Sequence, residues 1–186
     1  MARQFKLIAL LLAVTVLSTW LLYRLNLESA QSGGGRANAP DYYMDDFTTL
    51  AMDKSGKPDY KLYGLYMAHY PDSNTTEILK PSIDFLRTDK PAMHVVADKG
   101  WLTADNDVVL LNGNVEFVQK DAAGEPIMQI NTDKARLLID QNYVETDQFT
   151  RIVTRRTRVT GKGMQADLNE GKLSVLSDVH TIITPE

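Results

Sequence analysis

One layout recurs along this chain and limits its fold more than any single motif does. An apolar-alternating strand with Asp-Lys or Gly-Lys near its end is followed by a polar break and then a second alternating strand. Met93 to Val118 is the clearest copy. Ile127 to Val153 and Arg158 to Ile183 repeat it, so that Val115, Phe149 and Val179 fall at equivalent places, 34 and 30 residues apart (149 − 115 and 179 − 149). Tyr60 to Leu86 is a weaker fourth copy, with Ile83 lying 32 positions before Val115 (115 − 83). A period in this range marks a stacked array whose units cannot bury an apolar face alone. Because the unit is a strand pair, the predicted architecture is all-β, elongated and built of repeated antiparallel pairs.

At 186 residues, with 44% hydrophobic and 24% charged residues, the chain has ordinary globular composition, and the uniform repeat points to one β-domain. It contains no cysteine. Disulfides, a thiol nucleophile and cysteine-ligated zinc or iron–sulfur sites are therefore excluded.

Leu7 to Tyr23 carries no charged residue. As a helix these 17 residues reach about 25 Å, close to the hydrocarbon thickness once Phe5 and Leu25 are added and Lys6 and Arg24 snorkel outward. Trp20 and Tyr23 sit where amphipathic rings prefer the headgroup layer. A cleaved signal peptide is the competing reading, but the small-residue site Ala37-Asn38-Ala39 lies well beyond the apolar stretch. The expected organisation is a cytoplasmic tail at 1–6, a transmembrane anchor at 7–25, a flexible linker at 26–40 and a periplasmic β-domain at 41–186. Arg3 and Lys6 before the span set that orientation only modestly against Arg24 and Arg36 after it. Thr15, Ser18 and Thr19 share one helical face, suited either to contact with neighbouring helices or to bonding their own backbone. The first 24 residues hold three basic residues and no acid, so the remainder carries −4 − 3 = −7. Nucleic acid is an unsuitable partner for such a surface.

Three consecutive glycines, Gly33 to Gly35, lie in a small polar tether that spans roughly 20 Å over about a dozen residues. Beyond it, Tyr42 to Met52 reads as a lone first strand. Turns are expected around Asp53 to Pro58, Pro71 to Asn74, Asp105 to Asp107, Asp121 to Pro126, Asp140 to Asn142 and Asn169 to Gly171. Pro81 inside the Ile78 to Leu86 run predicts an edge or bulge.

The order of elements resembles a known family. The opening Pro40-Asp41-Tyr42-Tyr43 with Thr48-Thr49-Leu50, then Val95-Val96-Ala97-Asp98-Lys99 followed by Leu111-Asn112-Gly113-Asn114-Val115-Glu116, are similar to the LptC family within the OstA-like group, and the likeness covers the whole chain. The resemblance implies a partly open, twisted β-jellyroll. It also implies lipopolysaccharide as cargo, taken from the LptB2FG ABC transporter of the inner membrane and passed to LptA along a bridge of edge-joined jellyrolls.

Such a carrier needs an apolar trough, since each buried methylene is worth about 0.8 kcal/mol. By alternation the inward face comprises Leu62, Ile78, Phe85, Val95, Leu102, Leu111, Val115, Phe117, Ile130, Leu137, Ile139, Phe149, Val159, Leu173 and Val175; as a group they are candidates for lipid contact, although ordinary core packing accounts for any one of them. The last strand ends in Val179, Thr181, Ile182 and Ile183, with one acidic residue and no lysine from Val175 to Ile183, and reads as an edge open to strand addition. By resemblance that edge receives LptA, while Tyr42, Thr48, Thr49 and Leu50 on the first strand face the transporter.

No catalytic residue, metal site or cofactor is expected. His69, His94 and His180 are far apart in the repeat, Asp98 and Asp133 recur in positions that suit a bulge before acid–base work, and no phosphate-binding loop is present. Arg151, Arg155, Arg156, Arg158 and Lys162 form the one basic cluster, suited to phosphates or to a solvated strand face. Two further classes stay open: a structural adaptor that joins complexes without touching lipid, and a tethered hydrolase.

Overall fold

A computed structural model describes residues 14, 15, 17–23, 39–53, 55–86, 92–103, 108–139, 141–168 and 170–184. The chain divides into two units, Met1–Ala39 and Pro40–Glu186. In the first, residues 14, 15 and 17–23 are helical, and the Thr19 hydroxyl donates to the Thr15 carbonyl at 2.7 Å. That bond runs along the helix itself, the second of the two roles open to this hydroxyl face. Among the described residues no helix is long and apolar enough to cross a membrane. The rest of the expected 7–25 anchor, the 1–6 tail and residues 26–38 of the tether lie outside the described residues.

The second unit is all strand: β1 (Tyr42–Met52), β2 (Pro58–Tyr70), β3 (Thr75–Leu79), β4 (Ser82–Phe85), β5 (Ala92–Val96), β6 (Lys99–Leu102), β7 (Val108–Lys120), β8 (Pro126–Leu138), β9 (Tyr143–Thr154), β10 (Thr157–Asp167) and β11 (Lys172–Ile183). Every pairing is antiparallel. β3 and β4 lie end to end along β2, and β6 and β5 continue them alongside β7. From β7 onward, neighbours in sequence are neighbours in the sheet. Short connections explain this order, since consecutive antiparallel strands need only a tight turn.

Those turns are built from local aspartates. Asp53 Oδ1 accepts from the Ser55 and Lys57 amides at 2.7 and 3.0 Å. Asp121 Oδ1 repeats the pattern with Ala123 and Glu125 at 2.9 and 3.0 Å. Each carboxylate replaces the partners that a reversing backbone loses.

A line of irregularities crosses the sheet midway along its strands. Pro81 has no amide to give the ladder, and it separates β3 from β4; its carbonyl accepts the Ala97 amide at 3.2 Å, while the Lys80 amide reaches Asp98 O at 2.9 Å. On β7, Gly113 and Asn114 both take positive φ (78° and 48°) and together oppose the single residue Asp133. β9 carries an extra residue near Asp147 and Gln148, and β11 carries one at Asp178, whose φ is 53°. Bulges bend strands and sharpen their twist. The strand halves on either side of this line therefore form two layers over one core. Ile83, Val95, Phe117, Ile130 and Ile152 come from one layer, and Leu111, Ala135, Leu137, Val144, Met164 and Ala166 from the other.

The β9 bulge frees backbone groups inside that core, and three buried threonines satisfy them. Thr132 Oγ1 donates to Phe149 O at 3.0 Å, Thr146 Oγ1 accepts the Gln148 amide at 3.1 Å, and Thr150 Oγ1 donates to Gln148 O at 3.3 Å. Among the described residues no buried side-chain polar atom lacks a partner, as a core of this polarity requires.

Candidate functional site

Pairing carries the inward-facing residues into rows across the sheet. One row is Thr49, Leu62, Ile83, Val95, Phe117, Ile130, Ile152, Val159 and Thr181. Another, in the opposite layer, runs Thr76, Leu102, Val109, Leu137, Val144, Ala166 and Leu173. Between them lie Ile78, Gly100, Leu111 and Ala135, with Met164 pairing Val175 further along.

Where the two layers splay apart, at the end of the domain near the β10–β11 turn, they leave a cavity of about 290 Å³. Phe85, Met93, Phe117, Met128 and Ile130 line it from one layer and Val144, Met164, Ala166 and Leu173 from the other. Gln119, Asp167, Glu170 and Lys172 stand among its polar residues, and the last two are exposed. Val144 and Met164 are 2% and 1% exposed. The mouth is thus wet and the floor dry.

Of the fifteen inward residues expected from sequence, Phe85, Phe117, Ile130 and Leu173 line this cavity. Ile78, Val95, Leu111, Val115 and Leu137 are buried in the core. Leu62, Leu102, Val159 and Val175 are half-buried, and Ile139 is half-buried in the turn beyond β8. Phe149 is a correction: its ring is 57% exposed on the outer face. The inward residues of β9 are Val144, Thr146, Thr150 and Ile152, and the residue aligned with Val115 across the sheet is Thr132 and then Thr150. Matching the repeats by sequence therefore lands one residue early, because the β9 bulge inserts a residue that strict alternation does not count. Met93, Met128 and Met164 were missed. Their signal was present, since unbranched thioether chains suit irregular gaps.

Both ends of the sheet are unpaired among the described residues. On β11, Val179, Ile182 and Ile183 are 51%, 62% and 69% exposed, and Thr181 is exposed beside them. On β1, Tyr42, Thr48, Thr49 and Leu50 are exposed, and only Phe47 is buried. The Tyr42 ring stacks on His69 at 4.8 Å. His69 Nδ1 meets Asp41 Oδ1 at 2.8 Å, and its Nε2 lies 3.2 Å from Asn74 Oδ1. The hydrogen bond to Asp41 raises the His69 pKa and, from the other side, lowers that of Asp41.

The remaining polar candidates lie in separate places on the domain. Asp98 accepts from Lys80 Nζ at 2.6 Å and from Asn114 Nδ2 at 2.7 Å, tying the β3–β4 and β5–β6 connections to β7 at the bend. The Lys80 bond, and then the Asn114 bond, lower its pKa. A Cβ on Gly113 would strike the Asp98 side chain, so the glycine is needed for space as well as for its φ. Asp133 is exposed opposite the same bulge. The histidines stay apart: His94 pairs with Asp84 at 2.7 Å and His180 with the Asp178 carbonyl at 3.1 Å. No group of metal-ligating side chains gathers among the described residues. Arg151, Arg155, Arg156, Arg158 and Lys162 are all exposed, and Arg155 bonds Asp121 at 3.0 Å across two hairpins.

Comparison with known proteins matches this arrangement. A solved structure similar to the chain is that of LptH from Pseudomonas aeruginosa, the LptA-homologous periplasmic component of the conserved lipopolysaccharide transport device; the TM-score is 0.50 and the identity 10%, over 77% of this chain and 94% of that one. At that identity the likeness concerns the fold. Comparison with curated protein sequences finds no match. A model of lipopolysaccharide-assembly, LptC-related proteins matches residues 8–184, and with the bent, open-edged sheet and its apolar cavity on view, the chain belongs to the LptC family.

Proposed function

We propose that this chain is an inner-membrane-anchored link in lipopolysaccharide transport, with its β-domain in the periplasm. In this reading it takes lipopolysaccharide from the LptB2FG transporter, holds acyl chains in the cavity between its layers, and hands them to LptA paired on β11; β1 faces the transporter. The observation that carries the reading is the apolar cavity open at one end of a sheet with two free edges. Acyl chains gain about 0.8 kcal/mol per methylene on leaving water, so a dry, splayed interior supplies affinity without any polar catalytic group. Strand addition at a bare edge supplies register between carriers. The family and the lipid cavity also speak against a hydrolase.

Site-specific photo-crosslinking in living cells tests both halves. A crosslinker at Met128 should trap lipopolysaccharide, and one at Ile182 should trap a protein partner. Protein adducts at Ile182 with no lipid adduct at Met128 would instead establish an adaptor that joins complexes without handling lipid.

A further inference from the structure

We infer that the outer face of β9 and β10 docks on an anionic phospholipid bilayer, with Arg151, Arg158 and Lys162 against the phosphates and Phe149 in the headgroup layer. This rests on the membrane-anchored reading above and adds a contact to it. Strand register gathers the three cations. Arg151 pairs with Thr160, Arg158 with Val153 and Lys162 with Phe149, so Arg158 and Lys162 each stand diagonal to Arg151, about 7–8 Å away. All three are exposed, while Ile152 and Gly161 between them are buried on the inner side. Four other cations of the domain, Lys80, Lys99, Arg136 and Arg155, each meet an acid. Among the described residues Arg151, Arg158 and Lys162 bond none. In the row of Arg151 the first acid is Glu116, two strands away beyond Asn131, and it is taken by Gln129 Nε2 at 2.6 Å.

A bilayer suits this face because its cations stand among exposed apolar groups. The Phe149 ring lies in the open directly across from Lys162, and exposed Ile182 lies across from Arg158. Arginine and lysine stems run along apolar surface while their heads reach phosphate, and exposed rings settle at the boundary of headgroups and acyl chains. The chain is acidic overall, so a negative surface attracts this face and repels the rest. Charge therefore sets orientation as well as contact, and acids more than about 8 Å from the surface are screened at physiological salt. A tether of about a dozen residues keeps the face close to the membrane that holds the anchor. A weak contact then suffices, because a short linker gives an effective concentration on the order of millimolar.

The absence of cysteine from the sequence allows a single label. Full-length Thr160→Cys protein, spin-labelled between the three cations, is placed in nanodiscs of phosphatidylcholine alone or of phosphatidylcholine and phosphatidylglycerol in equal parts. Each holds a trace of gadolinium-headgroup lipid. Gln165→Cys, exposed on the outer face of the other layer, is the control. Relaxation at 160 should be strong in the mixed nanodisc and weak in phosphatidylcholine, and it should be weak at 165 in both. Each cation near an anionic surface is worth about fivefold in binding, so Arg151→Gln, Arg158→Gln and Lys162→Gln together should lower the docked-to-free ratio about a hundredfold. Salt at about 1 M, where the screening length is about 3 Å, should do the same. Equal relaxation in the two lipid mixtures, equal relaxation at 160 and 165, or no loss in the triple variant with circular dichroism unchanged overturns the docking face and leaves the transport reading intact. A chain that does not enter nanodiscs overturns the anchor and this inference together. In cells, a photo-crosslinker at Thr160 should capture phospholipid; capture of a protein in its place assigns the face to an acidic partner and overturns the bilayer.

Discussion

The two terminal strands are both bare edges, yet they are held in opposite ways. β1 rests on the domain through one buried side chain, Phe47, whose ring lies so close over Gly64 that a Cβ there would meet it at 2.5 Å. It is fastened at its start by the Tyr42–His69 stack and the Asp41–His69 bond. Among the described residues β11 has no such clasp. Its first half is seated by half-buried Leu173 and Val175, and after the bulge at Asp178 its second half turns Val179, Ile182 and Ile183 to solvent. A bulge is a common means of blunting an edge. Here it divides the edge, leaving a short regular stretch at 179–183 that stays able to pair. One edge is a latch and the other an open hook.

Breaking the latch at its pin should give the largest effect. Phe47→Ala removes the only buried side chain of β1, and a loss of about 3 kcal/mol is expected, the low end of the range for phenylalanine truncation because the strand is an edge. Hydrogen exchange should show the loss concentrated in Tyr42–Met52, with β8 to β10 protected as before. Uniform loss of protection would mean that β1 is integral to the core rather than latched onto it.

The matching change at the other edge is Gly161→Ala. Its new Cβ would run into Val175 Cγ1 and lie 2.8 Å from the Ser177 carbonyl, so β11 must shift outward to make room. Overpacking of this kind costs about 1–3 kcal/mol. Chemical denaturation should register that cost, and crosslinking of a partner at Ile182 should fall with it. If partner crosslinking is unchanged, pairing at 179–183 is independent of how the first half of β11 is seated.

Sequence pattern revealed the all-β class, the antiparallel strand pairs, the bounds of β1 and the hairpin turns, because each depends on neighbours a few residues apart: alternation for the strands, aspartate side chains for the reversals. It did not reveal phase across bulges. On β8 both Thr132 and Ala135 are buried, three apart, and on β9 the extra residue sends Phe149 outward. Pro81 announced one of these breaks, whereas alternation alone gave no warning of those at Gly113-Asn114 and Asp147-Gln148. Nor could alternation separate cavity wall from sealed core. Phe117 and Val115 both read as inward on β7, and only the splaying of the layers puts the first against a cavity and leaves the second closed in.

The smallest expected effect tests the latch through its protons. His69 has a raised pKa in the folded domain because Asp41 and then Asn74 accept from its ring, with partial burial opposing them. Its contribution is therefore complete below the ordinary histidine value of 6.5 and is lost as pH climbs through the raised folded value. Asp41 has a lowered pKa, so its contribution is present above the ordinary 3.8 and is lost as pH falls through the depressed folded value. The latch should be firmest between those two limits and loosen toward alkaline pH. Hydrogen exchange of β1 relative to β11 from pH 5 to pH 9, corrected for intrinsic exchange, measures the difference. In His69→Gln the ratio should become flat with pH. A ratio that keeps its slope in that variant would place the proton elsewhere.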